Sequence, residues 1–230
     1  CHASGAQSLS AGDAALCNTL GTQAADGALL LGLGDRIAQS SKQRVFIVLH
    51  EGGSHGPLYF KKYPPAFGTF APVCQTTDLS TCSKASLYNA YDNTIFYTDH
   101  VLHGVIQILQ AHPEWRSTML YLSDHGESLG EDGVYLHGMP NMIAPTVQRD
   151  IPFLVWRSPA FMQDRQQHGV PEQVLDAYLK PRAAPGLVAA PQAFGHDDIF
   201  HSVLGALWLG SSVYQPVLDV YAEPKLVAGH

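Results

Sequence analysis

At 230 residues, with 46% hydrophobic and 14% charged side chains, the chain can bury one sizeable core and is not a disordered polymer. A formal net charge of −7, with 13 basic residues scattered and Lys61-Lys62 the only adjacent pair, argues against a nucleic-acid backbone binder. No apolar run nears the roughly 18 residues of a bilayer crossing, so these residues do not span a membrane as a helix.

The chain opens on Cys1, without an initiating Met or a signal peptide, and is expected to be a piece of something longer. Residues 1–26 are rich in Ala, Ser and Gly and read as loop. Asp26 is placed to cap a helix carrying Leu29, Leu30, Leu33 and Ile37 on one face. Arg44-Val-Phe-Ile-Val-Leu49 predicts a strand buried on both faces, which ends in the Gly/His-rich loop His50–Pro57. A long irregular segment follows, with Tyr63-Pro-Pro and a polar loop bracketed by Cys74 and Cys82. No His lies near these two and no Cys-x-x-Cys spacing occurs, so a short-loop disulfide is preferred over free thiols. Cys1 pairs with Cys17, or either with a partner upstream; one real pair would imply an oxidising compartment.

From Ser83 to about His112 the spacing predicts a long helix, with Leu87, Tyr91, Ile95, Thr98, Leu102, Val105 and Leu109 on one stripe and Pro113 as the stop. Residues 118–122 predict a buried strand, and Ile151–Trp156 another, with Pro152 favouring a sheet edge. Residues 159–192 are rich in Gln, Pro and Ala, with a short helix at 171–180. Asp197 begins a last helix whose Ile199, Phe200, Val203, Leu204 and Leu207 pack inward. Strand, helix and strand alternate. The expected architecture is therefore α/β, a mostly parallel central sheet flanked by helices, as a single domain over 1–230.

Chemistry concentrates between Asp124 and Pro140, where 17 residues hold two His, two Asp, two Glu and four Gly directly after a strand. That edge of an open α/β sheet is where ligands bind. Adjacent Asp124 and His125 offer one carboxylate oxygen and one imidazole nitrogen, a pair suited to a zinc-class ion, although such a site usually asks for three or four protein ligands. If the two strands are neighbours, their loops bring His55, Asp124, His125, Glu127 and His137 within reach of one another. Glu131 and Asp132 read as solvated loop charge, and His100, His103, His112, His196 and His201 as surface or capping residues.

The run Ser-Asp-His-Gly-Glu-Ser-Leu-Gly-Glu-x-Gly-x-Tyr-Leu-His-Gly-x-Pro at 123–140 closely resembles the lipid A phosphoethanolamine transferases, the family of the mobile colistin-resistance enzymes. His50-x-x-Gly-Ser-His-Gly-Pro, Tyr63-Pro-Pro, Cys74-x₇-Cys82, Tyr91-Asp-Asn and His196-Asp-x-x-Phe-His201 occur in the same order, over about residues 27–210. The resemblance implies an alkaline-phosphatase/sulfatase-like fold, periplasmic on a membrane anchor, with one or two zinc ions. It implies Asp124 and His125 as primary zinc ligands. His55, Glu127 and His137 would serve a second metal or the phosphoethanolamine headgroup.

The family's nucleophile is a threonine, which completes the primary zinc shell together with a glutamate. No threonine here sits in that motif, so none is nominated. The nucleophile segment and the membrane domain are expected N-terminal to this portion of the catalytic domain. The intact enzyme would move phosphoethanolamine from phosphatidylethanolamine to a lipid A phosphate through a phosphothreonine intermediate. The fragment alone is expected to be inactive. Two alternatives stand: a sulfatase or phosphodiesterase of the same superfamily, or a catalytically dead binding domain. The stretch 159–192 fits the family poorly.

Overall fold

The computed structural model describes residues 26–170 and 194–222. The expectations for the first 25 residues, for Cys1 and Cys17 and for a helix at 171–180 lie outside the described residues. In chain order the regular elements are helix α1 (Leu33–Ala38), helix α2 (Lys84–Gln110), strands β1 (Thr118–Leu122), β2 (Ser128–Leu129) and β3 (Tyr135–Leu136), and the single helical turn α3 (Thr146–Arg149). Strand β4 (Phe153–Arg157), helix α4 (Pro159–Gln167) and helix α5 (Asp197–Ala206) complete them. The chain groups into two compact units, Cys1–Ala111 with His125–Ile151 and His112–Asp124 with Pro152–His230.

The first unit is built on α2. Ser83 starts it, its side chain accepting from the Ser86 N–H at 3.2 Å, which satisfies one of the otherwise orphaned first-turn donors. The buried face runs through Leu87, Ala90, Asn93, Thr94, Tyr97, Thr98, Val101, Val105 and Leu109. This is rotated from the expected stripe, and Ile95 is exposed. Asn93 is the reason. It is fully buried, its Oδ1 accepts from the Phe70 N–H at 2.9 Å, and its Nδ2 donates to the Phe70 carbonyl and the Tyr63 hydroxyl. A buried amide is tolerated when its hydrogen bonds are made, and these three hold the irregular segment ahead of α2 against the helix.

The Cys74–Cys82 disulfide forms, with Cα atoms 5.7 Å apart. Cys74 joins Tyr59, Leu79, Leu87, Ala90 and Leu129 in one apolar cluster, which ties the N-terminal half of α2 to the β2–β3 hairpin. Asp26 does not cap a continuous helix. A 3₁₀ turn over Asp26–Leu30 precedes α1, Gly32 between them is left-handed, and the Asp26 carboxylate accepts from the N–H groups of Gly52 and Gly53 at 2.8 Å.

Residues 44–49 do not form a strand, and Val45, Phe46 and Val48 are exposed. Their β-branched pattern is real, but a strand exists only in a ladder, and no described strand pairs with them.

In the second unit β1 and β4 pair antiparallel, from Thr118 opposite Arg157 to Leu122 opposite Phe153. The only other described ladder, β2 with β3, is antiparallel as well. The expected parallel pairing of the described strands is therefore absent. A parallel return needs a long crossover, usually a helix, and between β1 and β4 the only α-helix is the four-residue α3.

Ser158 and Pro159 start α4, with the Ser158 side chain accepting from the Phe161 N–H at 3.1 Å, so residues 159–167 are helical, a helix that the composition of 159–192 did not single out. Phe161, Val220 and Tyr221 form the core with Leu120, Phe153 and Val155 packed against them. Arg165 is buried there, with its guanidinium 4.2 Å from the Trp208 ring centroid and donating to the Gly205 and Tyr221 carbonyls. His201 is also buried, not at the surface, and its Nδ1 accepts from the Gln215 N–H at 3.0 Å. Exposed His196 places Nε2 3.0 Å from the Ser123 carbonyl.

Candidate metal centre

Three loop histidines from the first unit meet. His55, His125 and His137 each offer one nitrogen, and these nitrogens all lie within 4.8 Å of one another. Their rings are close, with centroids 3.7 Å apart for His125 and His137, 4.9 Å for His55 and His137, and 5.9 Å for His55 and His125.

In each ring Nδ1 faces an acceptor oxygen: His55 the Gly56 carbonyl at 2.8 Å, His125 the Gly126 carbonyl at 3.0 Å, and His137 the Glu127 Oε1 at 3.1 Å. A carbonyl or carboxylate oxygen can only accept, so Nδ1 carries the hydrogen in all three. The lone pair able to coordinate is then on Nε2, three times over.

Backbone geometry delivers each side chain. Gly126 donates its N–H to the Gln148 carbonyl at 3.0 Å, and a Cβ on it would run into the backbone of Val147. Only glycine allows that approach, which presses the His125 loop against α3. Gly56 lies as close to Leu136 and Tyr59, where an added Cβ would come within 2.5 Å and 2.6 Å of their side chains. Leu136 itself holds a left-handed φ of 63°, a conformation costly for a non-glycine residue, immediately before His137.

Glu127 is buried and holds the site from below. Its Oε1 accepts from the Gly56 N–H at 3.1 Å as well as from His137, and its Oε2 accepts from the Tyr59 hydroxyl at 3.1 Å. It is not one of the clustered groups. Asp124 is exposed and also lies outside the trio; by contact it belongs to the second unit.

Glu131, expected to be solvated, instead accepts from the Tyr88 hydroxyl at 2.7 Å and the Leu129 N–H at 2.6 Å, fixing the hairpin behind the site. Burial raises its carboxyl, but the Tyr88 hydroxyl and these amides outweigh burial and hold it below the usual carboxylate range. Near the start of the His55 loop, burial and then the Asp26 charge push the Glu51 carboxyl up to about 7. Sequence reasoning missed Tyr59 and Gly56 as parts of the site. Tyr59 lies four residues beyond His55 with no motif of its own, and only its burial reveals it.

Fold and site together define a class: a mixed α/β chain carrying a cluster of three histidines with the spacing to hold a metal ion. The chain belongs to the sulfatase family, whose model matches residues 10–209. It is 41% identical over 196 residues to phosphoethanolamine transferase EptA of Salmonella typhimurium, covering 85% of this chain and 33% of that protein. It is 48% identical over 149 residues to phosphatidylethanolamine transferase Mcr-1 of Escherichia coli, covering 64% and 28%. Among solved structures, the C-terminal periplasmic domain of phosphoethanolamine transferase EptC from Campylobacter jejuni superposes with a TM-score of 0.72 at 37% identity, covering 86% of this chain and 58% of that one. The likeness read from residues 123–140 and the alkaline-phosphatase/sulfatase-like fold class are both borne out, with the antiparallel pairing of the described strands as the difference. The chain spans about a third of the length of the curated relatives it matches. No described helix is long and apolar enough to cross a membrane.

Proposed function

We propose that this chain is part of the catalytic domain of a zinc-dependent transferase that moves phosphoethanolamine from phosphatidylethanolamine to a lipid A phosphate. The convergence of one nitrogen from each of three rings within 4.8 Å, in rings whose Nδ1 atoms each face an acceptor oxygen, carries the metal assignment. Three neutral imidazoles with one position left open are a ligand set of catalytic zinc sites. With bonds of about 2.0–2.1 Å, tetrahedral geometry asks for nitrogens about 3.3 Å apart, so a group already within 4.8 Å needs only a small contraction. Bound zinc would supply positive charge against the phosphoryl oxygens and hold the reacting group in place. His55, His125 and His137 would hold it, and Glu127 would orient His137.

The transferase reading rests on relatives at 41% and 48% identity whose names carry that activity. The intermediate would be a phosphothreonine on a segment outside these residues, and membrane attachment would lie outside them as well. A disulfide and a periplasmic relative support a periplasmic location. The sulfatase family model keeps a hydrolase of the same superfamily as the second reading.

Replacing the matching third of the Salmonella typhimurium transferase with this chain separates the two. Mass spectrometry of lipid A should show phosphoethanolamine added by the chimera, no addition with His125→Ala, and no turnover of the donor by the 230-residue chain alone. A folded, zinc-loaded chimera that leaves lipid A unmodified while cleaving an aryl sulfate would contradict the transferase reading.

A further inference from the structure

Three donors converge on the two oxygens of Glu127: the Gly56 N–H and His137 Nδ1 on Oε1, and the Tyr59 hydroxyl on Oε2, all at 3.1 Å. The carboxylate is 7% exposed, so each of these bonds is made out of water. Tyr59 is the most deeply set of the partners, at 1% exposure. Its ring meets Tyr91 edge-on at 5.5 Å between centroids and an 80° interplanar angle, and it packs in the cluster that holds Cys74 and Leu129. A ring held this way cannot swing, so its hydroxyl is a fixed point in the first unit. Burial, then the Glu127 charge, pushes the phenol far above its ordinary range, and it stays a donor.

We propose that Tyr59 is a positioning residue, whose hydroxyl pins the Glu127 carboxylate so that Glu127 holds His137 as the Nδ1–H tautomer with Nε2 turned toward His55 and His125. The other two histidines take their tautomer from carbonyls next to them in sequence, Gly56 and Gly126. His137 has no such local acceptor and depends on a side chain ten residues away, which itself could adopt other rotamers. The Gly56 N–H fixes one carboxylate oxygen and Tyr59 fixes the other, which together set the rotation of the group about its Cγ–Cδ bond. The hairpin then carries only the position of His137, while the orientation of its ring is set through Tyr59. An outer carboxylate of this kind fixes the ring and raises the basicity of the coordinating nitrogen. The functional meaning rests on the metal reading of His137; the tautomer assignment does not.

Nitrogen-15 NMR of the metal-free 230-residue chain tests it. Tyr59→Phe removes one oxygen atom and keeps the ring, and unchanged Asn93 side-chain amide resonances would show that the core is intact. His137 should show a single Nδ1–H tautomer in the unaltered chain and a mixture of both in Tyr59→Phe, with His55 and His125 unchanged. Zinc affinity of the variant should fall about tenfold. A folded Tyr59→Phe chain with an unaltered His137 tautomer and unaltered zinc affinity overturns the proposal. Should that variant not fold, Glu127→Ala decides: a mixed His137 tautomer supports the relay, and a retained single tautomer overturns it. Failure of the unaltered chain to bind zinc at all would contradict the metal reading, while the tautomer comparison, made without metal, bears on Tyr59 alone.

Discussion

Each histidine of the centre owes its useful nitrogen to an oxygen on the other side of its ring. His55 and His125 use the carbonyl of the glycine that follows them, and His137 uses Glu127. The two glycines are therefore more than spacers, because a larger residue at either place would push away the backbone that orients the ring. Gly126 is the sharper case, since an added Cβ meets main chain at Val147, which cannot rotate aside. Gly126→Ala should destabilise the chain by about 1–3 kcal/mol through overpacking and weaken zinc binding with it. Urea unfolding and zinc titration of the one variant measure both, and an unchanged unfolding midpoint would show that the loop and α3 are not in contact as described. At this scale the sequence was informative about which residues the fold brings together. His55, His125, Glu127 and His137 were all legible as Gly-flanked ionisable groups after apolar runs. The tautomers and the place of Tyr59 were not, because they depend on oxygens brought in by folding.

Among the elements, α2 shows what periodicity can and cannot tell. Its length and start were legible from Ser83, the apolar spacing and Pro113, and the helix runs from Lys84 to Gln110. Its buried face was misplaced because hydrophobic spacing counts Ile95 inward and Asn93 outward, and the structure does the opposite. The cause lies far along the chain: Phe70 and Tyr63 supply the partners that make a buried amide acceptable. Asn93→Ala strips those partners at once. Phe70 is exposed and its backbone can turn to water, so the expected loss is about 1–3 kcal/mol, not three full desolvation penalties. A urea midpoint equal to that of the unaltered chain would contradict a structural role for the amide. Residues 44–49 make the complementary point. Val45, Phe46, Ile47 and Val48 satisfy every local rule for a strand, but local preference does not supply a ladder partner.

At the scale of the molecule, alternating strands and helices correctly indicated an α/β chain, and the parallel sense inferred from them did not hold for the described strands. Strand direction is fixed by what connects two strands, and β1 and β4 are connected by the loop that carries His125 and His137, not by a covering helix. The same connection makes the site: a chain that leaves β1 through glycine-rich turns can set two histidines 12 positions apart beside a third from the His50–Pro57 loop. Family membership and fold do not by themselves locate a metal. Crystals of the chain soaked in zinc, with data collected on both sides of the zinc absorption edge, do. One anomalous peak about 2.0–2.1 Å from Nε2 of His55, His125 and His137 is the expected result. A peak bound through Nδ1 of any of them, or a fully loaded ion elsewhere with the three rings unmoved, would contradict it.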